Sequence, residues 1–153
     1  MSIEILTNIK IYKMKKISIT FALFLGGVLV SFAQEKTHTI TVEIAGMTAD
    51  KGAVYVSLCN NKELFLKKGF RSEIVKVTDK KATAVFKNIP EGMYAISVFH
   101  DENDNKKLDT KRFGIPTEAT GCSKGAVGKY GPPKYKDAKF TLTKDEIIPV
   151  IVK

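Results

Sequence analysis

Apolar residues in this chain recur at every second position over short runs, and each run is closed by Gly, Pro, Asn or an Asp-Lys pair. A side-chain period of two marks a strand with one face in a core, and the near absence of helical periodicity after residue 33 leaves sheets as the only layers available. Residues 39–44 set Ile40, Val42 and Ile44 against Thr39, Thr41 and Glu43, and residues 53–59 place Val54, Val56 and Leu58 on one face. Residues 74–77 and 82–87 read as a hairpin about Asp79-Lys80, and Ile89-Pro90-Glu91-Gly92 reads as a turn. Residues 93–100 alternate Tyr94, Ile96 and Val98 with Ala95, Ser97 and Phe99; with apolar side chains on both faces, this run predicts an interior strand. Residues 138–142 and 147–152 supply two more strands. The expectation is an all-β fold, a single two-layer β-sandwich of about seven strands. Phe70, Phe86, Tyr94, Phe99 and Phe140 are its expected large core residues, and residues 60–69 are expected to form one helical turn carrying Leu64 and Phe65.

The first residues have a different character. Met14-Lys15-Lys16, the apolar run 17–30 and Ser31-Phe32-Ala33 are the basic start, hydrophobic centre and small-x-small site of a secretory signal peptide, which predicts cleavage between Ala33 and Gln34. The apolar run falls short of the roughly 20 residues that span a bilayer, so no stable membrane span is expected after cleavage. Met14 is an alternative start. Residues 34–153 then form one domain. Setting aside the four lysines and one glutamate of residues 1–33, from 25 basic and 16 acidic residues in all, leaves a net charge of +6. Its lysines are scattered rather than clustered, which with export argues against nucleic acid as a partner. The two cysteines, Cys59 and Cys122, reach a compartment where disulfides form; they either pair or remain a buried strand thiol and a loop thiol.

Between His100 and Asp137 runs a segment with few strand signals, far longer than an ordinary connection, whose Gly114, Pro116, Gly121, Pro132 and Pro133 specify a path. It opens with His-Asp-Glu-Asn-Asp-Asn-Lys-Lys-Leu-Asp, residues 100–109. Asp101, Asn103, Asn105 and Asp109 occupy positions 1, 3, 5 and 9 of an oxygen-presenting calcium loop, with the Lys107 carbonyl at position 7. Lys106 stands at position 6, where such loops have Gly, and Arg112 at position 12, where they have Glu. Glu118 is a further oxygen donor from later in the segment. Two readings stay open: the oxygens hold calcium, or the same side chains cap and bend the backbone.

Nucleophilic and zinc chemistry are poorly supported. Gly121-Cys122-Ser123-Lys124-Gly125 matches G-x-S-x-G in form, but lacks the preceding buried strand and following helix that such an elbow needs. Only His38 and His100 offer imidazoles, and no paired cysteine motif accompanies them.

Several motifs of this half of the chain, in order, resemble the small exported bacterial proteins grouped as domain-of-unknown-function family 2141. They are Pro90-Glu91-Gly92-Met93-Tyr94-Ala95-Ile96, Val98-Phe99-His100-Asp101-Glu102-Asn103, Leu108-Asp109, Gly114-Ile115-Pro116-Thr117-Glu118, Gly121-Cys122-Ser123 and Gly131-Pro132-Pro133, with Tyr135 and Ala138 beyond. The resemblance implies an exported β-sandwich similar to the transthyretin-like and carboxypeptidase-regulatory folds, with no assigned activity. Lys106 departs from the family's glycine and Cys122 from its aromatic residue.

Together these readings predict an exported binding or structural module of the cell envelope, located in the periplasm, on the outer surface or in the medium. Its ligand is unassigned. The candidate binding residues are His100, Asp101, Glu102, Asn103, Glu118 and Ser123, and calcium is the expected cofactor of the 101–109 loop. The alternative is an enzyme acting on surface carbohydrate or peptide, with Asp101, Glu102 or Glu118 as general acid or base and His100 as proton carrier.

Overall fold

The alternation resolves into two sheets. The structure is a computed structural model that describes residues 35–153; the segment read as a signal peptide, with its alternative start, lies outside the described residues. Among the described residues there are eight strands: β1 (Thr37–Ala45), β2 (Ala53–Cys59), β3 (Arg71–Lys76), β4 (Lys81–Pro90), β5 (Gly92–Asp101), β6 (Thr120–Cys122), β7 (Phe140–Leu142) and β8 (Glu146–Ile151). One sheet has the order β4-β1-β8 and the other β3-β2-β5-β6, with β7 pairing the start of β5. The protein is an all-β sandwich, as the sequence predicts. No described helix is long and apolar enough to cross a membrane.

The inner faces are those the spacing selects. Ile40, Val42 and Ile44 of β1, Val54, Val56 and Leu58 of β2, and Tyr94, Ile96 and Val98 of β5 are all buried, packed with Phe86, Ile89, Phe140, Leu142 and Val150 in one core. A second, smaller cluster joins Cys59, Phe65, Ala95, Cys122 and Ala138. Because neighbours along a strand point to opposite faces, Ala95 lies on the other side of the sheet from Tyr94 and Ile96. Hence β5 is covered on both faces, as its composition predicts. A one-turn helix, α1 (Tyr135–Ala138), contributes Ala138 and the half-buried Tyr135 to this outer cluster.

Several expectations are corrected. The turn at Asp79-Lys80 exists, with both residues left-handed at φ 52 and 56 and a bridge between Thr78 and Lys81. Its arms do not form a hairpin ladder, because β3 runs into the larger sheet and β4 into the smaller. Phe70 is 44% exposed, and Phe99 is half-buried on the outer face of β5, stacked on Tyr55 at 4.7 Å. Residues 60–69 make a hydrogen-bonded turn, with Lys67 and Lys68 both donating to the Leu64 carbonyl; Phe65 is buried and Leu64 exposed.

The cysteines are both free and buried. Cys59 pairs in register with Ala95 and Cys122 with Ser97, so β5 runs between them. Two strand spacings separate their backbones by about 9–10 Å, beyond the roughly 7 Å a disulfide can bridge. Burial pushes the Cys122 thiol up to about 11, which keeps it protonated and unreactive near neutrality.

Both sides of the sandwich are closed. Arg71 Nη1 donates to the Lys87 carbonyl at 3.1 Å on one side. On the other, Thr120 and Lys153 exchange backbone hydrogen bonds of 3.0 Å each. Gly121 permits that approach, since a Cβ there would stand 2.7 Å from the Ile151 carbonyl oxygen. Pro149 falls in β8, an edge strand of its sheet, where a missing N–H is tolerated.

Candidate functional site

The interior strand β5 delivers its last two residues, His100 and Asp101, to the sandwich end, both buried. His100 is bound on two sides: its backbone N–H donates to the Ala119 carbonyl at 2.9 Å, and Nε2 lies 2.7 Å from the Lys51 carbonyl. A carbonyl only accepts, so Nε2 carries the proton. The imidazole thus clamps the β1–β2 connection to the long loop.

Asp101 shapes the first turn of that loop. Its Oδ1 accepts from Asn105 N at 3.1 Å and its Oδ2 from Lys106 N at 2.7 Å, turning the chain back on itself. Asn103 and Asn105 each accept a backbone N–H two residues on, from Asn105 and Lys107, at 3.1 and 2.9 Å. These local bonds hold Asp104 and Lys106 in the left-handed region, at φ 57 and 65. Lys106 therefore makes the sharp turn for which glycine is the usual residue, at a steric cost of roughly 1–2 kcal/mol.

Asp109 is the second centre. The amide nitrogens of Asn103 and Asn105 both donate to its Oδ2, at 2.7 and 2.9 Å. Glu118 returns to the same place, accepting from Asp109 N at 2.9 Å and Glu102 N at 3.3 Å through its two oxygens. The Glu102 side chain itself belongs to an exposed residue. Asp101, Asn103, Asn105, Asp109 and Glu118 are therefore brought together. Tyr55, stacked on Phe99, faces this loop: its hydroxyl is raised above the ordinary tyrosine value by desolvation first, then by the charges of Asp101 and Asp104.

The donor chemistry suits a hard cation. Among the described residues no three His, Cys, Asp or Glu side chains form a metal set, so a cation here would rest on the carboxylates of Asp101 and Asp109 together with amide and backbone oxygens. Asn103 and Asn105 now point N–H donors at Asp109. Their oxygens accept the Asn105 and Lys107 backbone N–H groups, so each amide would offer a cation only the lone pair that this bond leaves free. Both Glu118 oxygens are taken by backbone N–H groups, and Arg112 at position 12 supplies no oxygen.

Ser123 is placed elsewhere. It is fully buried; its Oγ accepts from Ile96 N at 2.9 Å and lies 2.6 Å from the Ala138 carbonyl, to which it donates. The chain pairs with β5 through β6 at Ser97–Phe99 and through β7 at Gly92–Tyr94. The hydroxyl spans the interval between them at Ile96, completing a ladder rather than facing a ligand. What the spacing could not show is the β1–β2 connection under the loop, where Gly52, at φ +64, leaves no room for a Cβ against the Asp101 carbonyl oxygen.

No curated protein and no solved structure matches the chain. The model of a family described as an uncharacterized protein conserved in bacteria, DUF2141, matches residues 42–148. That span runs from within β1 to within β8 and takes in the whole acidic loop, so the chain belongs to this family.

Proposed function

We propose that the protein is an exported binding or structural module of the bacterial cell envelope, that the loop from His100 to Ser123 is its binding region, and that calcium orders the 101–109 turn. The observation that carries the calcium reading is the gathering of Asp101, Asn103, Asn105 and Asp109 about a turn that Lys106 makes in the left-handed region. Such a set, with few carboxylates and a lysine-rich surround, belongs to the weak extracellular class, with Kd of about 10⁻⁴–10⁻³ M. Export rests on the signal-peptide pattern of residues 1–33. Mass spectrometry of the exported product is expected to give Gln34 as its first residue; a product retaining Lys15-Lys16 would remove that part of the proposal.

Thermal melting in calcium and in chelator tests the metal. At calcium about ten times Kd the folded state gains about 1.4 kcal/mol, and the melting temperature rises accordingly. Asp109→Ala is expected to abolish the rise while lowering the chelator melt only slightly, because its amide partners are exposed. Asp101→Ala loses a charged ligand too, and additionally costs about 1–2 kcal/mol in both buffers by leaving the Asn105 and Lys106 N–H groups to water. A wild type that melts identically in both buffers sinks the calcium reading.

A further inference from the structure

Beyond the acidic turn the loop projects a small hairpin. Thr117 N donates to the Asp109 carbonyl at 2.9 Å, Thr110 bridges Pro116, and Lys111 N donates to the Ile115 carbonyl at 2.7 Å. At its tip Phe113 and Gly114 are both left-handed, at φ 67 and 72, with Gly114 N bonded to the Lys111 carbonyl at 3.1 Å. Phe113 is 93% exposed and Ile115 59%, and the two cations Lys111 and Arg112 are exposed on the same stretch. The acid within that stretch, Asp109, is occupied by the two amides.

We propose that this hairpin is a docking tip for an anionic lipid bilayer, Phe113 and Ile115 entering the headgroup region while Lys111 and Arg112 lie against lipid phosphates. This rests on the reading of the loop as the binding region, and not on calcium. Three features select a bilayer. A large aromatic held in left-handed backbone is rare, and here a hydrogen-bonded turn fixes it outward, where it contributes nothing to the core. The tip stands clear of the fold, with nothing within 4 Å of a Cβ placed at Gly114, and a bilayer interface takes such a projection without a pocket preformed opposite it. A soluble polyanion would pair with the cations yet leave Phe113 and Ile115 in water, whereas the interface takes both the apolar and the cationic groups.

The test is sedimentation of the processed protein with vesicles of phosphatidylcholine alone and of equimolar phosphatidylcholine and phosphatidylglycerol. Binding is expected to the mixed vesicles only, and to weaken as salt is raised. Phe113→Ser is expected to weaken it at least about tenfold, by loss of apolar burial. Lys111→Glu and Arg112→Glu should each weaken it about fivefold or more. Phe113→Gly relieves the backbone strain, so its melting temperature should not fall although vesicle binding does; that separates lost contact from lost folding. Binding unaffected by Phe113→Ser, equal binding to both vesicles, or capture by soluble polyphosphate with none by vesicles overturns the proposal. A wild type that shows the calcium-dependent melting shift but does not sediment overturns the lipid assignment alone and leaves the loop reading intact.

Discussion

Gly52→Ala is expected to destabilise the domain by about 3–5 kcal/mol, enough to threaten folding in a protein of ordinary stability. Two independent costs add. At φ +64 an alanine sits in the left-handed region that its Cβ disfavours, and the Cβ is driven into the carbonyl oxygen of Asp101 with further crowding from Glu102 Cα. Backbone atoms cannot swing aside as a long side chain would. Relief therefore requires the first residues of the acidic loop to move away from β2, and the His100 bond to the Lys51 carbonyl goes with them. The variant should lose the proposed calcium response along with its stability. Lys51→Ala, which removes an exposed side chain beside the same backbone, is the control and should shift stability by no more than about 0.5 kcal/mol. Urea denaturation of the pair measures the difference; similar midpoints for both would show that the close approach of Gly52 to Asp101 is wrong.

Ser123→Ala is expected to cost about 2–4 kcal/mol. The hydroxyl serves two backbone groups, Ile96 N–H and Ala138 C=O, and Ser123, Ile96 and Ala138 are all fully buried. Water cannot replace it. This is the contrast with Asp101→Ala, whose orphaned N–H groups belong to exposed residues. Native-state hydrogen exchange should show the Ile96 amide losing protection before its neighbours in β5, because it alone loses its acceptor. A stability loss below about 0.5 kcal/mol would mean that the hydroxyl does not join the two ladders.

The inner faces of β1, β2 and β5 were legible because burial on one face imposes a period of two that nothing else in the chain imitates. The identity of the sheet each strand joins was not. Asp79-Lys80 makes the same turn whether its arms pair or part, and only the packing of the two layers sends β3 one way and β4 the other. Thr120-Gly121-Cys122 is too short, and too interrupted by its glycine, to register as a strand; it pairs with β5 because the Thr120–Lys153 exchange holds it there. Aromatic residues misled for a related reason. Phe70 and Phe99 carry large apolar area wherever they fall, and the outer face of the larger sheet shelters Phe99 in part through Tyr55. In the loop, the spacing of Asp101, Asn103, Asn105 and Asp109 foretold their convergence because all four lie within one turn of chain. The tasks of His100 and Ser123 depend on Lys51 and Ala138, partners from distant segments that no local pattern identifies.

The parallel pairing of β1 with β8 couples the two ends of the fold in time as well as in space. Residues as far apart as Ile40 and Glu146 are neighbours, so β1 lacks one side of its ladder until residues 146–151 are free to join it. Closing so long a chain is entropically costly before any contact rewards it, and sheets with such distant pairings fold slowly. The domain should consequently stay open until β8 is in place, a delay that would suit the export proposed above.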